Sequence, residues 1–352
     1  MINLSSFQVN PSTPPSYLTF FFMRGYNVFK IQEKALSIFR HLKKNDHSYK
    51  DFWERMGSTK DTALSMMDGS PNESVCQLTG QYMAKRISNA LLLNPKDVVL
   101  ELGCGVGRIG REIAPLCHRW FGVDISENLI KIAGQRMGHL NNVEFNVLEK
   151  TSLSSYPGHT FDKVYSHAVF IHMDKEDLFL YLREIARVLK PSGLLYFDTW
   201  NLKNTVGWER WMMEVDVWAQ SDQKERKHVS RNQFSTPDEI SLYVEKSGLD
   251  ELFSFPDSFW IQEIAYQPDH ENVDRKKESV QSIRSRLDRI AINSSLVELF
   301  AQHLKLLKGQ VAPAEFHQFI WSREENEESS LYRRWFSALW KENEKQWGPP
   351  PV

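Results

Sequence analysis

The sequence of 352 residues predicts an α/β fold, a doubly wound and mostly parallel sheet with helices on both faces. Three observations carry that expectation. From residue 97 onward, short apolar runs alternate with amphipathic segments, the pattern of buried parallel strands wrapped by helices. Glu101-Leu102-Gly103-Cys104-Gly105-Val106-Gly107-Arg108 leads out of the first apolar run through a glycine-rich turn and opens a helix. Leu189-Lys190-Pro191-Ser192-Gly193 stops a later helix and turns the chain into another apolar run.

In chain order, the cluster Pro11, Pro14 and Pro15 predicts an arm without regular structure, because proline removes a backbone donor and restricts its neighbour. Ile31, Ala35, Ile38, Phe39 and Leu42 then recur at helical spacing. Val75, Leu78, Tyr82, Ala90 and Leu91 do the same before Asn94-Pro95 ends the stripe. Strands are expected near 97–102, 119–124, 142–147, 161–166 and 193–199, and helices near 107–116, 126–137 and 176–189. Joined in that order, they imply right-handed crossovers. Ser235 or Thr236 caps a further helix that carries Pro237 in its first turn and ends near Gly248. Apolar segments near 249–255 and 258–266 add an antiparallel hairpin, which brings the expected sheet to seven strands.

Beyond the hairpin, Val280, Ile283, Leu287 and Ile290 form one helical stripe, and Tyr332, Trp335, Phe336, Leu339 and Trp340 another. The acidic run 324–328 between them reads as a solvated loop or helix face. The expected organisation is an N-terminal arm with helices over 1–74, a central α/β domain over 75–268 and a helical extension over 269–352.

Composition excludes several classes. Acidic residues number 45 and basic residues 43, which argues against a protein that grips nucleic acid through its phosphates. Cys76, Cys104 and Cys117 offer neither a disulfide framework nor a zinc site, and suit a reducing cytosol. The apolar run from Tyr17 to Phe29 is broken by Arg24 and Gly25 and is too short to span a bilayer. No basic segment precedes it as in a signal peptide. A cytoplasmic protein without membrane association is expected.

The glycine loop lies at the carboxyl end of a predicted buried strand, where backbone amides can approach a ligand closely. Its G-x-G-x-x-G pattern over 105–110 fits a dinucleotide as well as S-adenosyl-L-methionine. Glu101 separates the two, because a carboxylate at the strand tip opposes a pyrophosphate but favours the ammonium of a methionine moiety. Asp124 ends the next predicted strand, about 20 residues past the loop, where a carboxylate accepts both hydroxyls of a ribose. Ile125 follows it and can pack on an adenine.

The run from Val98 to Gly110, with Gly122-Val123-Asp124-Ile125-Ser126, resembles the class I S-adenosylmethionine-dependent methyltransferases, especially their small-molecule branch. Phe161-Asp162-Lys163-Val164-Tyr165-Ser166 resembles that family's fourth strand, and the segment from Leu182 to Leu195 its following helix and fifth strand. The resemblance implies a Rossmann-like domain that binds S-adenosyl-L-methionine. It implies cofactor contacts from Glu101, Gly103, Cys104, Gly105, Arg108, Asp124, Ile125, Ser166 and His167. It further assigns the adenine-contacting acid of the third strand end to Glu149, assisted by Lys150 or Thr151. The family usually has Asp after Gly there, whereas this chain has Leu148-Glu149.

Methyl transfer needs an aligned nucleophile, and a general base only when the acceptor must lose a proton. His167 and His172, in the segment that follows the predicted fourth strand, are the candidate bases. The alternative is that each orients its loop by hydrogen bonding. Trp200, Trp208, Trp211, Val215 and Trp218 offer either an aromatic substrate wall or core packing. The leading expectation is O-, N- or C-methylation of a small-molecule acceptor, without nucleic acid, metal or membrane. Protein or RNA methylation and noncatalytic cofactor binding are the alternatives, and a homodimer through the helical extensions is compatible with the pattern.

Overall fold

A computed structural model describes residues 48–219, 222–223, 225–229 and 231–351. The proline-rich arm, the apolar run 17–29 and the stripe from Ile31 to Leu42 lie outside the described residues. The described chain begins with two short helices, α1 (Tyr49–Met56) and α2 (Lys60–Asp68), that the apolar periodicity did not disclose. Their start signals are local: Ser48 accepts from the Asp51 amide and Thr59 from the Thr62 amide, each at 3.1 Å. A longer helix, α3 (Glu73–Ala90), then carries the stripe through Val75 and Tyr82, and it ends before Asn94-Pro95.

The sheet is built from β1 (Val98–Leu102), β2 (Arg119–Asp124), β3 (Val143–Val147), β4 (Phe161–Ser166), β5 (Leu189–Asn201), β6 (Phe234–Ser235), β7 (Asp250–Phe255) and β8 (Trp260–Tyr266). Its order is β3-β2-β1-β4-β5-β8-β7, with β3 to β5 parallel and the last two antiparallel. The expected seven strands are therefore joined by an eighth, β6, a two-residue strand parallel to the end of β5.

The crossover helices are α4 (Gly110–Ile113), α5 (Glu127–Met137) and α6 (Lys175–Val188). The helix expected over 107–116 is shortened to one α-turn followed by a 3₁₀ turn, Ala114–Leu116. Pro115 is the physical reason, since it has no amide to continue the i→i−4 ladder. The stop at Lys190-Pro191-Ser192-Gly193 forms the irregular start of β5, where the register with β4 shifts and Ser192 takes φ of 66°.

After β5 come α7 (Thr205–Trp218) and α8 (Pro237–Lys246), the second capped by Thr236, one of the two residues the sequence offers for the cap. Five helices follow β8: α9 (Val273–Arg284), α10 (Leu287–Ile290), α11 (Ser294–Leu307), α12 (Pro313–Ser322) and α13 (Glu327–Trp347).

Strand alternation divides the core between the two faces of the sheet. Leu100, Val164, Leu195, Phe197 and Ile261 pack under α6 and α8. Val99, Tyr165, Tyr196 and Trp260 share the opposite core with α3, α11, α12 and α13, including the stripe Tyr332, Trp335, Phe336, Leu339 and Trp340. One residue of the acidic run departs from expectation. Glu328 is buried, accepts from Arg86 Nη2 at 2.6 Å and from the Tyr82 hydroxyl at 3.0 Å, and so ties α13 to α3. No helix among the described residues is long and apolar enough to cross a membrane.

Candidate active site

The parallel topology brings the carboxyl ends of β1, β2 and β4 together, which is where open α/β sheets place their ligand crevice. A cavity of about 360 Å³ opens there and runs on toward α7, α11 and α13. It has the size of a small-ligand site.

At the glycine-loop end, Gly103 takes φ of +72°, and a Cβ on it would lie 2.3 Å from Val169. Only glycine fits that turn. The Gly105 amide donates to Asp124 Oδ2 and the Ser126 amide to Asp124 Oδ1, each at 2.9 Å. Asp124 thus ties the loop to the start of α5. The Ile125 amide also favours the charged carboxylate, and the two oxygens keep capacity for a further donor. Burial pushes its carboxyl up to about 6, against the lowering effect of these amides.

Glu101 is buried at the tip of β1, where Oε2 accepts from the Tyr165 hydroxyl at 2.7 Å and Trp120 Nε1 donates to that hydroxyl at 3.0 Å. The Gly110 amide also reaches the carboxylate. Burial outweighs these donors and raises Glu101 to about 8. Gly103, Cys104, Gly105, Arg108 and Ile125 line the cavity, as do the exposed Glu149 and Lys150. Ser166 stands apart from that lining and spends its hydroxyl on the Leu102 carbonyl at 3.1 Å, bracing β4 against β1.

The N-terminal helices close this end from above. Glu54 of α1 accepts from the Ser126 hydroxyl at 2.5 Å and the Asn128 amide at 3.0 Å, so it sits on the first turn of α5. Asp68, the last residue of α2, meets Arg108 at 3.4 Å.

The two histidines differ in setting. His167 Nδ1 lies 2.5 Å from Asp198 Oδ2, and the Ala168 amide donates to Asp198 Oδ1 at 2.8 Å. With Nδ1 donating to Asp198, Nε2 is the accepting nitrogen of the ring. Ala168 takes φ of 58°, a left-handed conformation costly for a residue with a Cβ, which Asp198 helps to hold. His172 lies in a 3₁₀ turn, Phe170–His172, edge-on to Trp53 at 5.0 Å. Burial, then the charge of Arg210, lowers its pKa to about 3, so it stays neutral at cellular pH. Both rings line the cavity.

Farther in, Trp200 and Trp260 stack at 4.7 Å and form an aromatic wall with Phe259. Trp218 of α7 is buried, Trp211 is half-buried and Trp208 is exposed, so the helical spacing does not make one buried tryptophan face. Arg210 donates to Glu214 Oε1 at 2.8 Å, and Asn232 donates to the same oxygen at 2.8 Å. Leu296, Leu331 and Tyr332 bring α11 and α13 into the wall.

Sequence reasoning missed Asp198, Asp68, Arg210 and the contributions of α11 and α13. Asp198 left one signal, a lone acid within the apolar run from Leu194 to Trp200 of a strand buried on both faces. No group of three metal-ligating side chains occurs among the described residues.

Fold and site have the arrangement expected of a class I S-adenosylmethionine-dependent methyltransferase domain, and a methyltransferase-domain family model matches residues 99–193. Over that segment, which holds the glycine loop and Asp124, the chain is similar to the methyltransferase-domain family. Phosphoethanolamine N-methyltransferase 1 of Caenorhabditis elegans is 24% identical over 149 residues, which is 42% of this chain and 30% of that protein. Methyltransferase GfsG of Streptomyces halstedii is 27% identical over 177 residues, 49% of this chain and 60% of its own length. The match to the maize phosphoethanolamine N-methyltransferase 1 likewise spans only 36% of that protein, so the chain spans about a third of the first such relatives. Magnesium protoporphyrin IX methyltransferase from Synechocystis, solved with bound SAH, shares 18% identity at a TM-score of 0.46, over 62% of this chain and 97% of that one.

Proposed function

We propose that this chain transfers a methyl group from S-adenosylmethionine to a small-molecule acceptor. The observation that carries the reading is a single cavity lined at one end by the glycine loop with Asp124 and at the other by His167 with an aromatic wall. When bound, the cofactor supplies an electrophilic methyl group on a sulfonium. The residues present suit it: Gly103 and Gly105 expose backbone at positive φ, Asp124 offers its remaining lone pairs to ribose hydroxyls, and Ile125 offers an apolar surface to the adenine. Glu149 and Lys150, exposed in the cavity lining, are the residues we assign to the adenine edge.

His167, held by Asp198, is the residue we assign to take a proton from the acceptor. Its partner fixes the tautomer and stabilises the imidazolium that forms. His172, neutral and a weaker base, is assigned to hydrogen-bonding and positioning. Trp200, Trp260 and Phe259 favour a planar or largely apolar portion in the acceptor, and Arg210 adds a cation to the same wall. The names of the phosphoethanolamine N-methyltransferase relatives are compatible with an amine as the methylated group. The near-balance of charge disfavours a nucleic-acid acceptor. Three buried free cysteines accord with a cytoplasmic setting.

Calorimetric titration with S-adenosylmethionine and with NAD tests the cofactor, and selective binding of NAD would refute the reading. Release of S-adenosylhomocysteine across a panel of phenols, carboxylic acids and amines then identifies the acceptor class.

A further inference from the structure

The cavity holds a buried carboxylate oxygen that packing leaves without a role. Asp68 is fully buried at the C-terminal end of α2 and lines the cavity at the glycine-loop end, where a Cβ on Gly105 would meet its neighbour Met67 at 3.4 Å. Thr79 Oγ1 donates to Asp68 Oδ1 at 2.7 Å, and Arg108 Nη1 approaches the same oxygen at 3.4 Å. Oδ2 meets no nitrogen or oxygen donor among the described residues, and the Cys76 thiol stands beside the carboxylate. An acid at a helix C-terminus opposes the macrodipole, and an unmet buried carboxylate oxygen is costly. The position is thus locally unfavourable in two ways, as residues kept for a ligand often are.

The charges around it specify that ligand. Arg108 and Asp68 present one cation and one anion, side by side, to the same cavity. Such a pair complements an amino-acid zwitterion, the carboxylate facing the guanidinium and the ammonium facing the acid. Glu101, the acid first expected to meet the ammonium, is already held by Tyr165 and the Gly110 amide.

We propose that Asp68 Oδ2 accepts the α-ammonium of the cofactor's methionine end, with Arg108 facing its α-carboxylate. The proposal rests on the S-adenosylmethionine reading above and revises the expectation that Glu101 meets this ammonium. Asp68 also lies outside the segment 99–193, which makes α2 part of the proposed cofactor site.

The test compares the affinities of S-adenosylhomocysteine, its analogue lacking the α-amino group, and 5′-methylthioadenosine, which lacks the whole amino acid. Wild-type protein prefers S-adenosylhomocysteine to the deaminated analogue. Asp68→Asn is expected to reduce that preference by about 10- to 100-fold while 5′-methylthioadenosine binds as before. Glu101→Gln keeps the preference. Equal weakening of 5′-methylthioadenosine by Asp68→Asn, or loss of the preference in Glu101→Gln instead, overturns the proposal. If the Asn variant does not fold, Asp68→Glu carries the same test: its longer arm is expected to diminish the preference, and an unchanged preference overturns the assignment. Wild-type protein that binds none of the three ligands refutes the cofactor reading itself.

Discussion

The two ends of the cavity are built on different principles. The glycine-loop end comes mainly from short segments at the tips of adjacent parallel strands, with Glu101 and Asp124 only 23 positions apart in the chain. The aromatic end is gathered from Tyr82 on α3, Trp200 on β5, Arg210 on α7, Trp260 on β8 and Tyr332 on α13. A ligand shared across a family can be met by a local, repeatable strand–loop–helix unit. An acceptor particular to one chain can be met by whatever elements pack over the open edge of that unit.

The widest separation between the ends should come from Asp198→Asn. It leaves Asp124 and the glycine loop intact but removes the carboxylate that sets the His167 tautomer, so turnover should fall by about 10²- to 10⁴-fold with S-adenosylhomocysteine affinity unchanged. Steady-state kinetics beside calorimetry reads both quantities, and wild-type turnover would eliminate His167–Asp198 as the proton acceptor.

Arg86→Ala attacks the far end through its scaffold. Arg86 stacks on Tyr82 at 3.6 Å and holds Glu328, so its loss strands a buried carboxylate and should cost about 3–5 kcal/mol in urea unfolding. A cost below about 1 kcal/mol, the range of an exposed pair, would mean that α13 does not depend on this contact.

At the near end, Asp124→Ala removes the proposed ribose acceptor and the tie between Gly105 and Ser126. Cofactor affinity should drop at least about tenfold, since each charge-assisted bond is worth roughly 1.5–3 kcal/mol. Unchanged affinity in a folded variant would exclude Asp124 from the site.

How much of this was legible follows the same division. The limits of the first four strands, the hairpin, a cap at Ser235 or Thr236 and the tips of β1 and β2 could be read because each depends on residues within a few positions of one another, whereas β5 extends past its expected limits at both ends. Glu328 was read as solvated because an acidic run normally is, and nothing local discloses that Arg86, 242 residues earlier, awaits it. Asp68 and Asp198 were missed for a related reason, since a buried acid acquires its meaning only from partners that tertiary packing brings. The α1 and α2 helices had caps but were too short for a clear apolar period.

The smallest effect per unit change is a pH slope at the near end. The Glu101 carboxyl titrates near 4.5 when unfolded and near 8 when folded, so between those values the folded chain holds the extra proton. Stability of the ligand-free protein should therefore fall as pH rises from 5 to 8, by up to about 1.4 kcal/mol per unit from this group. Urea unfolding of Glu101→Gln should lack that contribution, and an identical slope in both proteins would count against a buried, proton-holding Glu101.

The central claim is that one cavity serves the methyl donor at the glycine loop and the acceptor at the aromatic wall. A crystal structure with S-adenosylhomocysteine tests it most directly. The account predicts the ribose hydroxyls on Asp124, the amino-acid end between Arg108 and Asp68, and the sulfur turned toward His167 and Trp260. Ligand bound away from Asp124, or with its sulfur facing solvent instead of the aromatic end, would contradict it.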